Sequence, residues 1–325
     1  MEAIMRKWED YKVVNPHIGI IVSLTAMLLL MILVMPFISD RFLTITNITN
    51  QLTQASIFLI MAVGMTLVIT TSGIDIAVGS LLGLSVSVIG IFGIGYGLPV
   101  WGIILVGLAI GALGGAFNSV FIVNFKVPPI IVTLGTWTVF RGTAYVLTGG
   151  NLVFGFPKEF IWLSQGTLLG IPVPIILAVL TFIFGYILLH KTTYGLHLAA
   201  LGGNEEAAML AGINVRRVKF SVYVIAGILT GLAALITSAR LDTAHPTAGI
   251  GYELTVISAT VLGGTLLAGG RGLMIGTLLA VLFLQVLTNA MIMGGVGIYW
   301  QRALFGFIFV LVVAIRSITA EKEEV

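Results

Sequence analysis

Long apolar runs, separated by short polar breaks, set the pattern of this chain. A helix rising 1.5 Å per residue needs about 20 apolar residues to cross about 30 Å of hydrocarbon. Runs of that kind predict spans at about 17–37, 52–70, 76–96, 99–124, 127–147 and 171–190. A seventh follows the polar stretch 191–219 and ends at about 238, and three more lie at about 252–268, 273–293 and 298–315. The expectation is an all-α integral membrane protein of about ten transmembrane helices, in one transmembrane domain over 1–325. A transmembrane barrel would instead show short alternating strands. The first run is long for a signal peptide and lacks a small-residue cleavage site, so it reads as an uncleaved first helix.

The stretch 191–219 breaks the pattern most sharply. Basic residues flank it, and inside it Asn204 has the chemistry of an N-cap. Glu205 and Glu206 suit the positive end of a first turn, Ala207 and Ala208 favour helix, and Gly212 suits a helix end. So short a helix is unstable alone in water and must pack on something. It is either a surface loop helix or a docking helix for a partner.

Here a resemblance enters. Glu206-Ala207-Ala208, three residues and then Gly212 resembles the coupling-loop motif of ABC importer permeases. The wider string Ala200-Leu-Gly-Gly-Asn-Glu-Glu-Ala-Ala-Met-Leu-Ala-Gly-Ile-Asn-Val is similar to the ribose-type sugar permeases. Two further strings resemble the same family in order along the chain. They are Thr70-Thr-Ser-Gly-Ile-Asp-Ile-Ala-Val-Gly-Ser80 and Val261-Leu-Gly-Gly-Thr-Leu-Leu-Ala-Gly-Gly-Arg-Gly272. The resemblance implies a non-catalytic permease subunit of a bacterial inner membrane, moving a monosaccharide by alternating access. It implies three partners: an ABC ATPase subunit that uses the ATP, a periplasmic or surface sugar-binding protein, and a second permease, identical or a close paralogue. The stretch 191–219 would then be the cytoplasmic coupling loop between spans six and seven, with Gly203, Asn204, Glu205, Glu206, Ala207, Ala208 and Gly212 contacting the ATPase. Which of the two adjacent glutamates acts as the motif acid stays open.

Composition sharpens this picture. Hydrophobic residues make up 58% of the 325 and charged residues only 9%, at a mean hydropathy of +1.12. Soluble domains carry about a quarter charged residues, so this chain cannot cover a water-facing surface. The net charge of +3 calls for no nucleic acid, because basic residues gather at cytoplasmic span ends. With the N-terminus inside, ten crossings return the C-terminus inside. Arg6, Lys7, Lys12, Lys126, Lys191, Arg216, Arg217, Lys219, Arg271, Arg316 and Lys322 then fall on the cytoplasmic side. Arg41, Lys158, Arg240 and Arg302 fall outside, and Arg141 lies within span five.

The chain has no cysteine, and His17, His190, His197 and His245 show no ligand spacing, so neither metal nor thiol chemistry is expected. No Gly-x4-Gly-Lys-Ser/Thr string occurs, so the chain binds no cofactor of its own and any ATPase is another chain. Gly107, Gly111 and Gly115 repeat at four-residue steps, which suits close helix packing in lipid more than a dedicated dimer motif. The string from Ser72 echoes the one from Gly269, with Gly79 matching Gly276, and transporters are often built from repeats.

Polar residues inside the apolar runs must face a cavity or another helix. Asp75, Asn118, Arg141, Glu253, Gln285 and Asn289 are therefore candidates for a translocation path or gate. Each has a plainer reading as interhelical glue, and Asp75 in addition as a helix cap. Glu253 could cap span eight, pair with Arg240 or line the path. Two rivals remain: an ion- or proton-coupled secondary transporter, which predicts a relay of intramembrane carboxylates, and an ABC permease for another small metabolite.

Overall fold

The computed structural model describes residues 16–323. Arg6, Lys7 and Lys12 lie outside the described residues. The chain folds into helices α1 (Pro16–Val34), α2 (Ile45–Thr70), α3 (Val78–Gly90), α4 (Val100–Val123), α5 (Pro129–Thr148) and α6 (Lys158–Gln165). There follow α7 (Val173–His190), α8 (Thr193–Gly203), α9 (Glu205–Leu210), α10 (Val215–Leu241), α11 (Tyr252–Leu262), α12 (Met274–Met293) and α13 (Ile298–Glu323). Four two-residue strands form two small antiparallel pairs: β1 (Val153–Phe154) with β4 (Thr243–Ala244), and β2 (Thr167–Leu168) with β3 (Ile171–Pro172). Among the described residues eight helices are long and apolar enough to cross a membrane. The fold is that of an all-α integral membrane protein.

Helix α2 runs through the centre of the bundle, with its residues from Ile57 to Thr70 almost all buried. It starts at Ile45, well before the expected 52, because Thr44 caps it and accepts from the Asn47 amide at 3.4 Å. Helix α4 lies antiparallel on α10 with no side chain between the two backbones. A Cβ on Gly111 would strike the Gly227 carbonyl, one on Gly115 the Tyr223 carbonyl, and one on Gly231 the Gly107 carbonyl. The glycine ladder is therefore an internal contact of this chain. Close approach of this kind replaces the hydrophobic drive that lipid cannot supply between helices.

Two helices are interrupted within the bundle. Residues 72–77 leave helical geometry between α2 and α3, so α3 starts at Val78. Asp75 is buried, and its Oδ1 accepts from the Ala77 amide at 2.9 Å, while Thr133 donates to the Ile74 carbonyl at 3.2 Å. The second break, 243–251, descends alongside α3 as non-helical chain, with Ala244 against Gly90 and the Gly249 carbonyl against Gly79. It ends in α11, whose 11 residues reach only about 16 Å at 1.5 Å per residue. The expected span 252–268 is thus a half-helix followed by a turn at Gly263 and Gly264.

The two ends of the bundle differ. At one end Ser72 Oγ lies 2.8 Å from the Gly202 carbonyl and 2.5 Å from the Ala268 carbonyl, and the Gly270 amide donates to Thr70 at 2.9 Å. The two echoing strings, from Ser72 and from Gly269, therefore meet at the foot of α8. At the other end Asp242 accepts from the Phe156 amide at 3.1 Å beside the β1–β4 pair.

Candidate functional site

The polar stretch 191–219 forms two helices rather than one. Thr192 caps α8 by accepting from the Gly195 amide at 3.4 Å, and Asn204 caps α9 by accepting from the Ala207 amide at 2.9 Å. Asn204 thus takes the place its residue type predicts. Gly212, at φ +84°, turns the chain out of α9 in a conformation that disfavours a side chain. Asn214 then caps α10, accepting from the Arg217 amide at 3.1 Å.

Helix α9 is fixed on one side and open on the other. Ala208 is buried against the bundle, whereas Ala207 and Gly203 are exposed. Met209 and Leu210 are 59% and 90% exposed, an apolar pair facing outward. Glu205 pairs with Lys219 on α10. Glu206 has no ion partner among the described residues and stays free at the open face. At its root, α8 is locked to α2. A Cβ on Gly202 would run into the Thr70 carbonyl and the Gly270 amide.

The six candidate path residues divide between two places. Four belong to the tightly packed side of α3. Arg141, from α5, donates to the carbonyls of Pro246, of Ala248 at 2.7 Å and of Gly79 at 3.2 Å. Glu253 is buried at 8% exposure beside Gly79, and it makes no pair with Arg240. Asn118 is wholly buried beside Asp75, which is bound to its own backbone as described above. None of these four lines the cavity that the other two share.

Gln285 and Asn289 do. They face a cavity of about 410 Å³ between α2, α10, α11, α12 and α13. Helix α2 brings Asn50, Gln51, Gln54 and Phe58 to it, α10 brings Arg240, and α11 brings Tyr252 and Thr255. Arg240 donates to Gln54, and Asn47 and Asn289 exchange hydrogen bonds at 3.2 and 2.9 Å, joining α2 to α12 at the rim. The rings of Phe58 and Tyr252 lie 4.7 Å apart at 51°. Sequence reasoning missed the α2 contribution, because a span begun at 52 cuts off Asn47, Asn50 and Gln51 and leaves Gln54, just inside it, without the face it belongs to. Their spacing of three and four residues was the available signal.

The chain is similar to known proteins over most of its length. The family described as "Branched-chain amino acid transport system / permease component" matches residues 47–313, and the chain belongs to it. Among its relatives is the ribose import permease of Bacillus subtilis (strain 168), 43% identical over 288 residues, covering 88% of this chain and 89% of that one. The ribose import permease of Escherichia coli (strain K12) is 42% identical over 296 residues, with 89% and 91% covered. The D-allose transport system permease of the same strain is 32% identical over 282 residues, with 87% and 86% covered. No solved structure matches.

Proposed function

We propose that this chain is the membrane-spanning permease subunit of an ABC importer for a monosaccharide, ribose or a near relative, in a bacterial inner membrane. It is not an enzyme. Hydrolysis of ATP belongs to a separate ATPase, and solute arrives on a soluble sugar-binding protein. A second permease chain, identical or a close paralogue, completes the pathway. The end carrying α8 and α9 faces the cytoplasm, with Lys126, Lys191, Arg216, Arg217, Lys219 and Arg271 gathered there and Arg41, Lys158 and Arg240 opposite, as the positive-inside bias requires.

One observation carries the coupling role. Helix α9 presents Met209, Leu210 and Glu206 outward, while the preceding α8 is wedged at Gly202 against α2 and the 263–273 turn. Motion imposed on α9 by the ATPase therefore passes to the central helix and to α11, opening the path to one side and then the other. Glu205 is held by Lys219, which leaves Glu206 as the acid presented to the partner. The names of the relatives supply the sugar class, and the absence of a carboxylate relay between Asp75 and Glu253 gives no support to ion coupling.

The double variant Glu206→Ala, Gly212→Val inserts normally but loses ATP-driven sugar uptake. Glu205→Ala alone retains most uptake, since a half-exposed ion pair contributes only about 0.2–1 kcal/mol. Uptake in cells expressing each variant, with the amount in the membrane measured alongside, tests this. Wild-type uptake by the double variant would reject the role, and uptake that survives ATP depletion but not an uncoupler would move the protein to another transport class.

A further inference from the structure

We infer that the cavity between α2, α10, α11, α12 and α13 is the place where the permease itself touches its solute, and that it is built for a neutral polyhydroxy molecule. The inference rests on the importer reading above and adds the chemistry of the contact. The amides of Gln51 and Gln285 have no hydrogen-bond partner among the described residues, although both line the cavity and Gln51 is only 8% exposed. An amide left unpaired within the apolar zone is costly, so such groups mark water or solute. Each amide offers two donors and an acceptor with two lone pairs. That is the complement of a hydroxyl, which both gives and takes.

Charge decides against the main alternative. No Asp or Glu lines the cavity, so an α-ammonium group would find no counter-ion there. The one cation, Arg240, is already engaged by Gln54. An amino acid would therefore enter with its ammonium uncompensated, whereas a sugar requires only what Gln51, Gln54 and Gln285 provide. Phe58 and Tyr252 supply an apolar wall. The volume of about 410 Å³ lies within the range of about 300–1,000 Å³ usual for small-molecule sites. A site that recognises hydroxyls by hydrogen bonds discriminates strongly against solutes that lack them.

The test uses the assembled importer in proteoliposomes, with its ATPase and ribose-loaded binding protein. Because the soluble partner sets the apparent affinity, the informative quantity is ribose delivered per ATP hydrolysed. Gln51→Leu and Gln285→Leu each lower that ratio by about tenfold, the effect of one hydrogen bond of about 1.4 kcal/mol, with hydrolysis itself unchanged. A general folding defect would lower both rates together, and an unchanged ratio overturns the inference while leaving the importer reading intact. Allose, xylose and leucine are run in parallel with wild type. Transport of leucine and of no sugar overturns both.

A second arm needs no transport. The chain has no cysteine, so Gln285→Cys places a single thiol in the cavity. It reacts with a charged, membrane-impermeant thiol reagent added from the side opposite α9, whereas Leu180→Cys, on the outward face of α7, does not. A silent Gln285→Cys means that the cavity does not open to water, and the inference falls.

Discussion

Arg141 does for the 243–251 segment what a turn of helix does elsewhere. Backbone carbonyls in an apolar surround must find donors, and the local turns bond those of His245, Thr247 and Gly249 but not those of Pro246 and Ala248. The guanidinium, with several N–H groups in a fixed fork, reaches Pro246, Ala248 and Gly79 together. A residue that the pattern of polar positions marked for the translocation path thus bonds the backbone of this segment. Arg141→Leu orphans the Pro246 and Ala248 carbonyls at about 1–3 kcal/mol each, and the protein should unfold at markedly lower temperature in detergent. Arg141→Lys should fall between, because a point-like ammonium cannot serve three acceptors in one plane. Thermal unfolding of the purified variants measures both.

At the scale of elements, the helix pairs meet through glycine. On α4 and α10 the contact repeats at Gly107, Gly111 and Gly115, against Leu235, Gly227 and Tyr223 in turn. A side chain at Gly111 or Gly115 has only backbone to displace, so the helices must separate. Gly111→Val should destabilise the chain by several-fold more than Gly135→Val on α5, where nothing lies within 4 Å of the new Cβ. Folding yield in the membrane separates the two. The same ladder explains why four-residue glycine spacing, visible in the sequence, suited internal packing. The half-helix α11 was less legible. Tyr252 to Ala268 is nearly continuous in apolar character, and only Gly263 and Gly264 hint that the helix stops after 11 residues.

For the whole molecule the question is sidedness. Six described basic residues, Lys126, Lys191, Arg216, Arg217, Lys219 and Arg271, cluster with α8 and α9 at one end, and the 410 Å³ cavity lies toward the other, beside Asn289. Force would be received at one face and solute at the opposite one, with α2 passing through both regions. Met209→Cys, on a chain with no other cysteine, should react with an impermeant reagent only from the cytoplasmic side, and docked ATPase should protect it. Labelling of sealed vesicles of known orientation measures this.

Hydropathy and spacing were enough to determine the solvent this chain lives in, most of its long helices and the capped segment at 204–212, while three short strings carried the resemblance to the family. Each of these is written within one stretch of chain, where periodicity, caps and composition act locally. Tertiary structure alone decided which glutamate pairs with Lys219, which carbonyls Arg141 bonds and which amides share a cavity. Asn47 and Asn289, 242 residues apart, bond each other. Periodicity reports which residues share a face of one helix. It carries no information on which faces meet, since that follows from how several helices pack at once.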